Sequence, residues 1–132
     1  MKISATVENS LHQHTALVCT NDQVRELAIP AKTEGWGSSV NGGELLFLAL
    51  ATCFCNDIYR EAAKRNISIT QVSVEASGEF SAEGAPGYNI TYQARVSGDA
   101  SDAELAALIK YTDQMSEIQN TLRAGVNVTL IE

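Results

Sequence analysis

The sequence predicts an α+β fold in which antiparallel strands surround one long central helix. Stretches of alternating apolar and polar residues occur on both sides of one strongly apolar stretch, residues 42–55. Turn residues join neighbouring strands directly, instead of the helical crossovers that parallel sheets need. The chain has 132 residues, and 45% of them are hydrophobic. That content suits one domain with its own core, so we expect residues 1–132 to form a single domain.

The N-terminal part predicts three short strands. Ile3, Ala5 and Val7 alternate with polar neighbours, which is the pattern of a half-buried strand. The segment "SLHQHTALVCT" continues in extended form after a turn, and "VRELAIP" is a third strand. The glycine-rich segment that follows, "AKTEGWGSSVNGG", has the composition of a loop.

A long helix is predicted from about Gly42 to about Arg65. Asn41 is a favourable N-cap, and Glu44 stands three residues later, as in a capping box. The segments "NISITQVSVEASGEF" and "YNITYQARV" then alternate around a turn, which predicts an antiparallel hairpin.

The C-terminal part predicts two helices and a final strand. One helix starts at Ser101 or Asp102, with Glu104 completing a second capping box. A shorter helix covers "SEIQNTLRA" and ends at Gly125. The last segment, "VNVTLI", reads as a closing strand.

The composition narrows the choice of partners and compartment. The formal charge is −7, so neither nucleic acid nor an anionic membrane is an expected partner. The N-terminus has no apolar segment of the length that a signal peptide needs, and no apolar run reaches the roughly 20 residues of a membrane span. We therefore expect a cytoplasmic protein whose three cysteines are free thiols rather than a disulfide framework.

The two cysteines of the helix lie on different faces, because residues two apart differ by about 200° around the axis. Cys53 shares its face with Asn56, Asp57 and Arg60, so this face becomes polar after one turn. Cys55 shares its face with apolar residues and is expected in the core. A reactive thiol needs partial exposure and a nearby positive charge, which favours Cys53. The alternative is that Cys53 is a small buried hydrophobic residue, as free cysteines usually are.

Other polar residues give weaker signals. The capping box by itself explains Glu44. His12 and His14 are expected on one face of a strand, but no third ligand is evident, so we expect no metal and no other cofactor. Arg25 and Arg60 are read as ordinary solvated charges. The glycine-rich loop lacks the lysine of a P-loop, which argues against phosphate binding.

The segment "NGGELLFLALATCFC" resembles the helix signature of the OsmC/Ohr family (osmotically inducible protein C and organic hydroperoxide resistance protein). That signature runs from Asn-Pro through a Glu and a Leu/Ala-rich stretch to a Cys. The matching residues in this chain are Asn41, Glu44, Leu45, Leu46, Leu50 and Cys53. The order of the predicted elements agrees over essentially the whole chain.

This resemblance implies an OsmC-like fold in which two chains interlock as a homodimer. It also implies a role in oxidative stress, with a reactive Cys that is activated by an Arg and a Glu. A second Cys downstream forms a disulfide with the first in the peroxidase members. Residue by residue, Cys53 would be the nucleophile and Glu44 the activating Glu. His14 aligns with the activating Arg, and Arg25 is the nearest arginine.

The chain also departs from the family pattern. Gly42 replaces the Pro of Asn-Pro, and the second Cys and its following Pro correspond to Ser116 and Glu117. A serine cannot resolve a sulfenic acid, so an active enzyme would need an external thiol. Two hypotheses stay open. One is a thiol-dependent reductase of small hydroperoxides, and the other is a non-catalytic dimer that binds a small apolar ligand near Cys53.

Overall fold

The structure is a computed structural model that describes all residues, 1–132. The chain divides into two compact units, residues 1–45 and 46–132. The elements, in chain order, are β1 (Ile3–Ser10), β2 (Gln13–Thr20), β3 (Gln23–Leu27), α1 (Gly42–Lys64), β4 (Ile69–Glu79), β5 (Tyr88–Gly98), α2 (Asp102–Met115) and α3 (Glu117–Ala124). The predicted α+β class with antiparallel sheets is confirmed. The expectation of a single domain stays a prediction.

The first unit contains a three-stranded antiparallel sheet in the order β1-β2-β3. Asn21 and Asp22 join β2 to β3, with φ of 47° and 70°. Positive φ at both positions of a two-residue loop is the type I′ geometry, which Asn and Asp tolerate better than most residues. The loop predicted before α1 is confirmed, with one isolated bridge between Ala31 and Ser38.

The second unit is built on the antiparallel β4-β5 hairpin, in which Ile69 pairs with Gly98 at one end and Glu79 with Tyr88 at the other. Its core consists of fully buried side chains from α1 and α2, which pack on the apolar face of the hairpin: Phe54, Ile58, Ala62 and Leu108. The rings of Phe54 and Tyr92 lie 5.1 Å apart between centroids in a tilted arrangement. This packing fixes the middle of α1, the part of the helix that carries the two cysteines.

Local signals set the ends of α2 and α3. The Ser101 hydroxyl accepts the N–H of Glu104, and the Glu104 carboxylate accepts the N–H of Ser101, which confirms the second capping box. Ser116 separates the two helices as C-cap of α2 and N-cap of α3. Gly125 ends α3 in the left-handed conformation, with φ of 63°.

The predicted last strand, residues 126–131, is wrong for this structure, which has no strand there. Val128, Leu130 and Ile131 are 98%, 84% and 88% exposed. Alternating β-branched residues favour an extended backbone, but a strand also needs a neighbour to supply hydrogen bonds. No helix of the structure combines the length and apolar character needed to cross a membrane.

Candidate active site at the Cys53 thiol

Helix α1 brings a thiol and a carboxylate together. Cys53 and Asp57 are four residues apart and therefore share one face. The Cys53 Sγ donates a hydrogen bond to Asp57 Oδ2 at 3.3 Å. Asp57 is only 6% exposed, whereas Cys53 is half-buried. The thiol is thus accessible while its acceptor is shielded from water.

Arg60 lies one turn further along α1 and connects that helix to the segment between α2 and α3. Its Nη1 is 3.0 Å from Asp57 Oδ1 and 3.0 Å from Glu117 Oε1. Its Nη2 donates to the Met115 carbonyl at 3.1 Å. The expectation that Arg60 is an ordinary solvated charge is wrong, because its guanidinium joins two carboxylates that both approach the thiol.

The first turn of α3 completes the site. Glu117 Oε2 is 3.9 Å from the Cys53 Sγ, and the backbone N–H of Ile118 lowers the pKa of the thiol. Cys53, Asp57, Arg60 and Glu117 therefore form a closed ring of polar contacts, which we call the thiol cluster. Sequence reasoning placed Asp57 on the Cys53 face but gave neither carboxylate a role. The spacing of four residues between Cys53 and Asp57 could have indicated their contact, because residues four apart on a helix are neighbours.

The electrostatics of the thiol cluster favour a protonated Cys53. Burial raises the pKa of the thiol, and the hydrogen bond to Asp57 and the charges of Asp57 and Glu117 raise it further. The Ile118 N–H opposes these effects by stabilising the thiolate. Burial also raises the pKa of Asp57, against the stabilising contacts with Cys53 and Arg60. The proton therefore stays on the Cys53 sulfur and is donated in a hydrogen bond to Asp57 Oδ2.

The same atoms have the composition of a three-ligand metal site. One ligand atom from each of Cys53, Asp57 and Glu117 lies within 4.8 Å of the others. However, Arg60 Nη1 already contacts both carboxylates and supplies the positive charge that a metal would bring. The histidine pair is not a second candidate. His12 lies in the turn before β2, so the prediction that it shares a strand face with His14 is wrong.

Ser116 occupies a buried position between α2 and α3. Its side chain is fully buried, and its hydroxyl donates to the Thr112 carbonyl at 2.9 Å. Ser116 also lowers the pKa of the Asp57 carboxyl slightly, against the effect of burial. Ser116 thus lies beside the thiol cluster, and it has no chemistry by which to reduce an oxidised thiol.

The other two cysteines have different surroundings. Cys55 is partly exposed and lines a shallow depression with Ala51, Thr52, Asn56 and Val74. The prediction that Cys55 lies in the core is wrong, because the N-terminal half of its helix face is uncovered within this unit, as the 59% exposure of Leu48 illustrates. Cys19 lies in β2 between Ser4 and Val24. All three cysteines are free thiols.

The remaining candidates from the sequence belong to the first unit, whereas Cys53 belongs to the second. Glu44 forms the predicted capping box: its Oε1 accepts the Asn41 N–H at 3.1 Å, and its own N–H donates to Asn41 Oδ1 at 2.8 Å. Arg25 is exposed on β3, opposite Val18. His14 Nδ1 is 3.0 Å from the Asn9 side-chain nitrogen. The catalytic roles of these three residues stay predictions.

An apolar depression of about 240 Å³ lies further along the α1–α3 contact. Its lining consists of Leu50, Ile90, Tyr92, Gln119, Leu122 and Arg123. Gln119 is buried and donates from Nε2 to the Leu50 carbonyl at 3.0 Å, while its Oε1 has no partner. This depression could accept a small apolar group.

The fold and the thiol cluster together define an α+β protein with a polar-faced cysteine on its central helix. The family model described as OsmC-like protein matches residues 35–131. The chain therefore belongs to the OsmC-like protein family, and the resemblance inferred from the helix signature is confirmed.

Solved structures share this fold at low sequence identity. An OsmC-like protein from Mycoplasma pneumoniae has a TM-score of 0.67 and 17% identity, covering 99% of this chain and 96% of that one. An organic hydroperoxide resistance protein OsmC from Legionella pneumophila has a TM-score of 0.61 and 20% identity, covering 98% and 95%. An organic hydroperoxide resistance protein from Elizabethkingia anophelis has a TM-score of 0.64 and 17% identity, covering 97% of this chain and 92% of that one. No curated protein matches the sequence.

Proposed function

We propose that this OsmC-like protein is a thiol-dependent hydroperoxide reductase that uses Cys53 as its nucleophile and an external thiol as its reductant. Family membership and the hydroperoxide resistance proteins among the structural relatives support a role in peroxide metabolism or oxidative stress. The cytoplasm, where small thiols are abundant, is the compartment in which this reductant would be available.

One observation carries the proposal: the half-buried Cys53 thiol contacts ionisable side chains and a helix N-terminus, whereas Cys55 does not. The thiol donates a hydrogen bond to Asp57 Oδ2 at 3.3 Å, and the Ile118 N–H at the start of α3 lowers the pKa of the thiol. Peroxide attack requires a thiolate with access to solvent and a means of removing its proton. Cys53 meets these requirements better than either of the other cysteines.

The reaction balances with one thiol from the protein and two from outside. The sulfur attacks the distal oxygen of the hydroperoxide, the O–O bond breaks, and Cys53 becomes a sulfenic acid while an alcohol leaves. One external thiol condenses with the sulfenic acid, releasing water and forming a mixed disulfide. A second external thiol then attacks this disulfide and restores Cys53. The fully buried hydroxyl of Ser116 takes no part in this reduction.

The activating groups are also part of the proposal. By the family resemblance, Arg25 or His14 supports the thiolate, Glu44 orients that group, and two chains associate as a homodimer. Arg60 is a further candidate for the positive charge, because it contacts both carboxylates of the thiol cluster. Alanine variants of Arg25, His14 and Arg60, measured in parallel for peroxide turnover, would rank the three.

The test is intact-mass analysis after one equivalent of an organic hydroperoxide, together with turnover measured with a dithiol reductant. The wild type should gain one oxygen atom and should turn over. Cys53→Ser should do neither, and Cys55→Ser, the matched control two residues away, should behave like the wild type. Absence of oxidation in the wild type, or its persistence in Cys53→Ser, contradicts the proposal.

A second function is favoured by the raised pKa of Cys53, because a protonated thiol is a poor nucleophile. The protein would then be a dimeric OsmC-like binding protein that holds a small apolar ligand, for which the depression beside Leu50 and Leu122 is available. Saturable binding of a small apolar ligand, unaffected by Cys53→Ser and without peroxide turnover, would support this function over the first.

A further inference from the structure

We propose that Asp57 is a catalytic residue that takes the proton of the Cys53 thiol and delivers it to the alkoxide oxygen released from the hydroperoxide. This inference rests on the proposed function. It assigns a further catalytic group on α1, four residues after the nucleophile, in addition to the groups implied by the family resemblance.

The geometry gives each oxygen of Asp57 one partner. Oδ2 accepts the hydrogen bond from the Cys53 Sγ at 3.3 Å, and Oδ1 is 3.0 Å from Arg60 Nη1. The Asp57 side chain is 8% exposed. A carboxylate that is held by a guanidinium through one oxygen and shielded from water presents its other oxygen to the thiol in a fixed direction.

Glu117 is less suited to this role. Its nearer oxygen is 3.9 Å from the Sγ, and its side chain is 60% exposed. Its other oxygen is engaged by Arg60 at 3.0 Å. Glu117 therefore contributes negative charge and an ion pair that positions Arg60. Asp57 makes the shorter contact with the sulfur whose proton must move.

The step balances without a further reactant. The thiol proton passes from Sγ to Asp57 Oδ2 as the sulfur attacks the distal peroxide oxygen. The S–O bond forms, the O–O bond breaks, and the proximal oxygen leaves as an alkoxide. This alkoxide takes the proton from Asp57, so the products are the Cys53 sulfenic acid, an alcohol and an ionised Asp57. The sulfur is oxidised and the peroxide reduced.

The acidity of Asp57 supports this order of proton transfers. Burial raises the pKa of Asp57, which makes its carboxylate a better proton acceptor than an exposed one. Arg60 remains charged throughout and stabilises the ionised carboxylate before and after the transfer. General acid–base catalysis by one positioned group is worth roughly 10²–10⁴-fold in rate.

The experiment compares Asp57→Asn and Glu117→Gln with the wild type by two measurements. The pH dependence of Cys53 alkylation by iodoacetamide reports the thiol pKa, and single-turnover oxidation by an organic hydroperoxide reports the chemical step. Each variant removes a negative charge near the thiol, so the alkylation midpoint should move to lower pH in each. Oxidation should nevertheless slow about 10²-fold in Asp57→Asn. In Glu117→Gln it should become faster, because the thiolate fraction rises while the carboxylate of Asp57 is kept.

These opposite responses separate proton transfer from simple electrostatics. If Asp57 acted only through its charge, Asp57→Asn would contain more thiolate and would be oxidised faster, which overturns the proposal. Asp57→Glu, which keeps a carboxylate, should recover part of the lost rate. Wild-type oxidation should also be slower in D₂O, a readout that does not depend on a variant folding. Absence of wild-type oxidation overturns the proposed function as well, whereas normal wild-type oxidation with an unimpaired Asp57→Asn overturns only the role of Asp57.

Discussion

Arg60 and Glu117 are 57 residues apart in the chain, yet Arg60 Nη1 lies 3.0 Å from Glu117 Oε1. The pair connects the middle of α1 to the first residue of α3. Because Glu117 is 60% exposed, the free energy of this ion pair is small, typically between about 0 and 1 kcal/mol. Its main effect is positional, since it holds the start of α3, and with it Ser116, beside Asp57 and Cys53.

This position leads to a prediction for Ser116→Cys. A thiol introduced there should capture the Cys53 sulfenic acid and form an intramolecular disulfide. After one equivalent of hydroperoxide, the intact mass should fall by two hydrogen atoms instead of rising by one oxygen atom. Ser77→Cys, which adds a thiol on the exposed side of β4, is the control and should show no such bond to Cys53. Oxygen retained on Cys53 in Ser116→Cys would contradict the inferred position.

The capping box of α1 gives a second prediction. Glu44→Gln keeps an acceptor for the Asn41 N–H, so its stability should equal that of the wild type. Glu44→Ala removes the acceptor and should lower the free energy of unfolding by about 0.3–1.5 kcal/mol. Chemical denaturation would measure both. Peroxide turnover should survive in Glu44→Gln if the residue is only a cap. A loss of turnover at unchanged stability would instead support the activating role implied by the family.

Three glycines give a third prediction, because a methyl group added at each meets different surroundings. At Gly98 the new Cβ would lie 2.6 Å from the Ser68 carbonyl oxygen, which also accepts the Asp99 N–H. At Gly78 it would lie 2.6 Å from the Phe47 ring, and at Gly42 nothing lies within 4 Å.

Backbone cannot move aside as an aromatic ring can, so Gly98→Ala should destabilise most, by about 1–3 kcal/mol or more. Gly78→Ala should lower the free energy of unfolding by less. Adding Phe47→Leu in a double variant should restore part of this loss, because it removes the ring that the new methyl group meets. Gly42→Ala should be neutral or stabilising by up to about 1 kcal/mol, since alanine favours helix. Urea unfolding gives the ranking, and equal losses at Gly98 and Gly42 would refute it.

Glu61 gives a fourth prediction, which concerns pH. Its carboxylate is almost fully buried, and the hydrogen bond from Lys64 holds its pKa below the ordinary 4.5, despite burial and with help from Arg60. A group with a lowered folded pKa stabilises the protein above its unfolded pKa, and this contribution disappears as pH falls through the folded value. The free energy of unfolding should therefore decline below pH about 4.5.

The measurement is denaturant unfolding across that range in the wild type, Glu61→Gln and Glu75→Gln. Glu61→Gln should be less stable near neutral pH and should show a shallower decline in acid. Glu75 is exposed on β4, so Glu75→Gln should retain the wild-type slope. Identical acid slopes in the wild type and Glu61→Gln would show that Glu61 is not a source of acid sensitivity.

The elements that the sequence predicted correctly are those with local determinants. The capping boxes at Asn41 and Ser101, the turn between β4 and β5, and the glycine after α3 act within a few residues. The segment 126–131 was mispredicted because strand formation depends on a neighbour that sequence alternation does not reveal. Cys55 was mispredicted for a related reason, since the face of a helix is buried only where another element covers it.

The candidate site was only partly predictable. Helical spacing placed Cys53, Asp57 and Arg60 on one face, and the structure bears out the contact between the first two. Helical spacing could not reveal that Glu117 would approach the same thiol, because that contact depends on how α3 packs against α1. The role of Arg60 was missed for the same reason, as its partners come from the far end of the chain.

The buried hydroxyl of Ser116 has a consequence for how such a reductase would respond to dose. Because position 116 carries no thiol, the sulfenic acid of Cys53 would persist until a small external thiol reaches it. A second peroxide molecule competes during that interval and converts the sulfenic acid to sulfinic acid, which ordinary thiols do not reverse. The protein would therefore turn over when peroxide is scarce relative to thiol. When peroxide is in excess, it would be inactivated by overoxidation of Cys53.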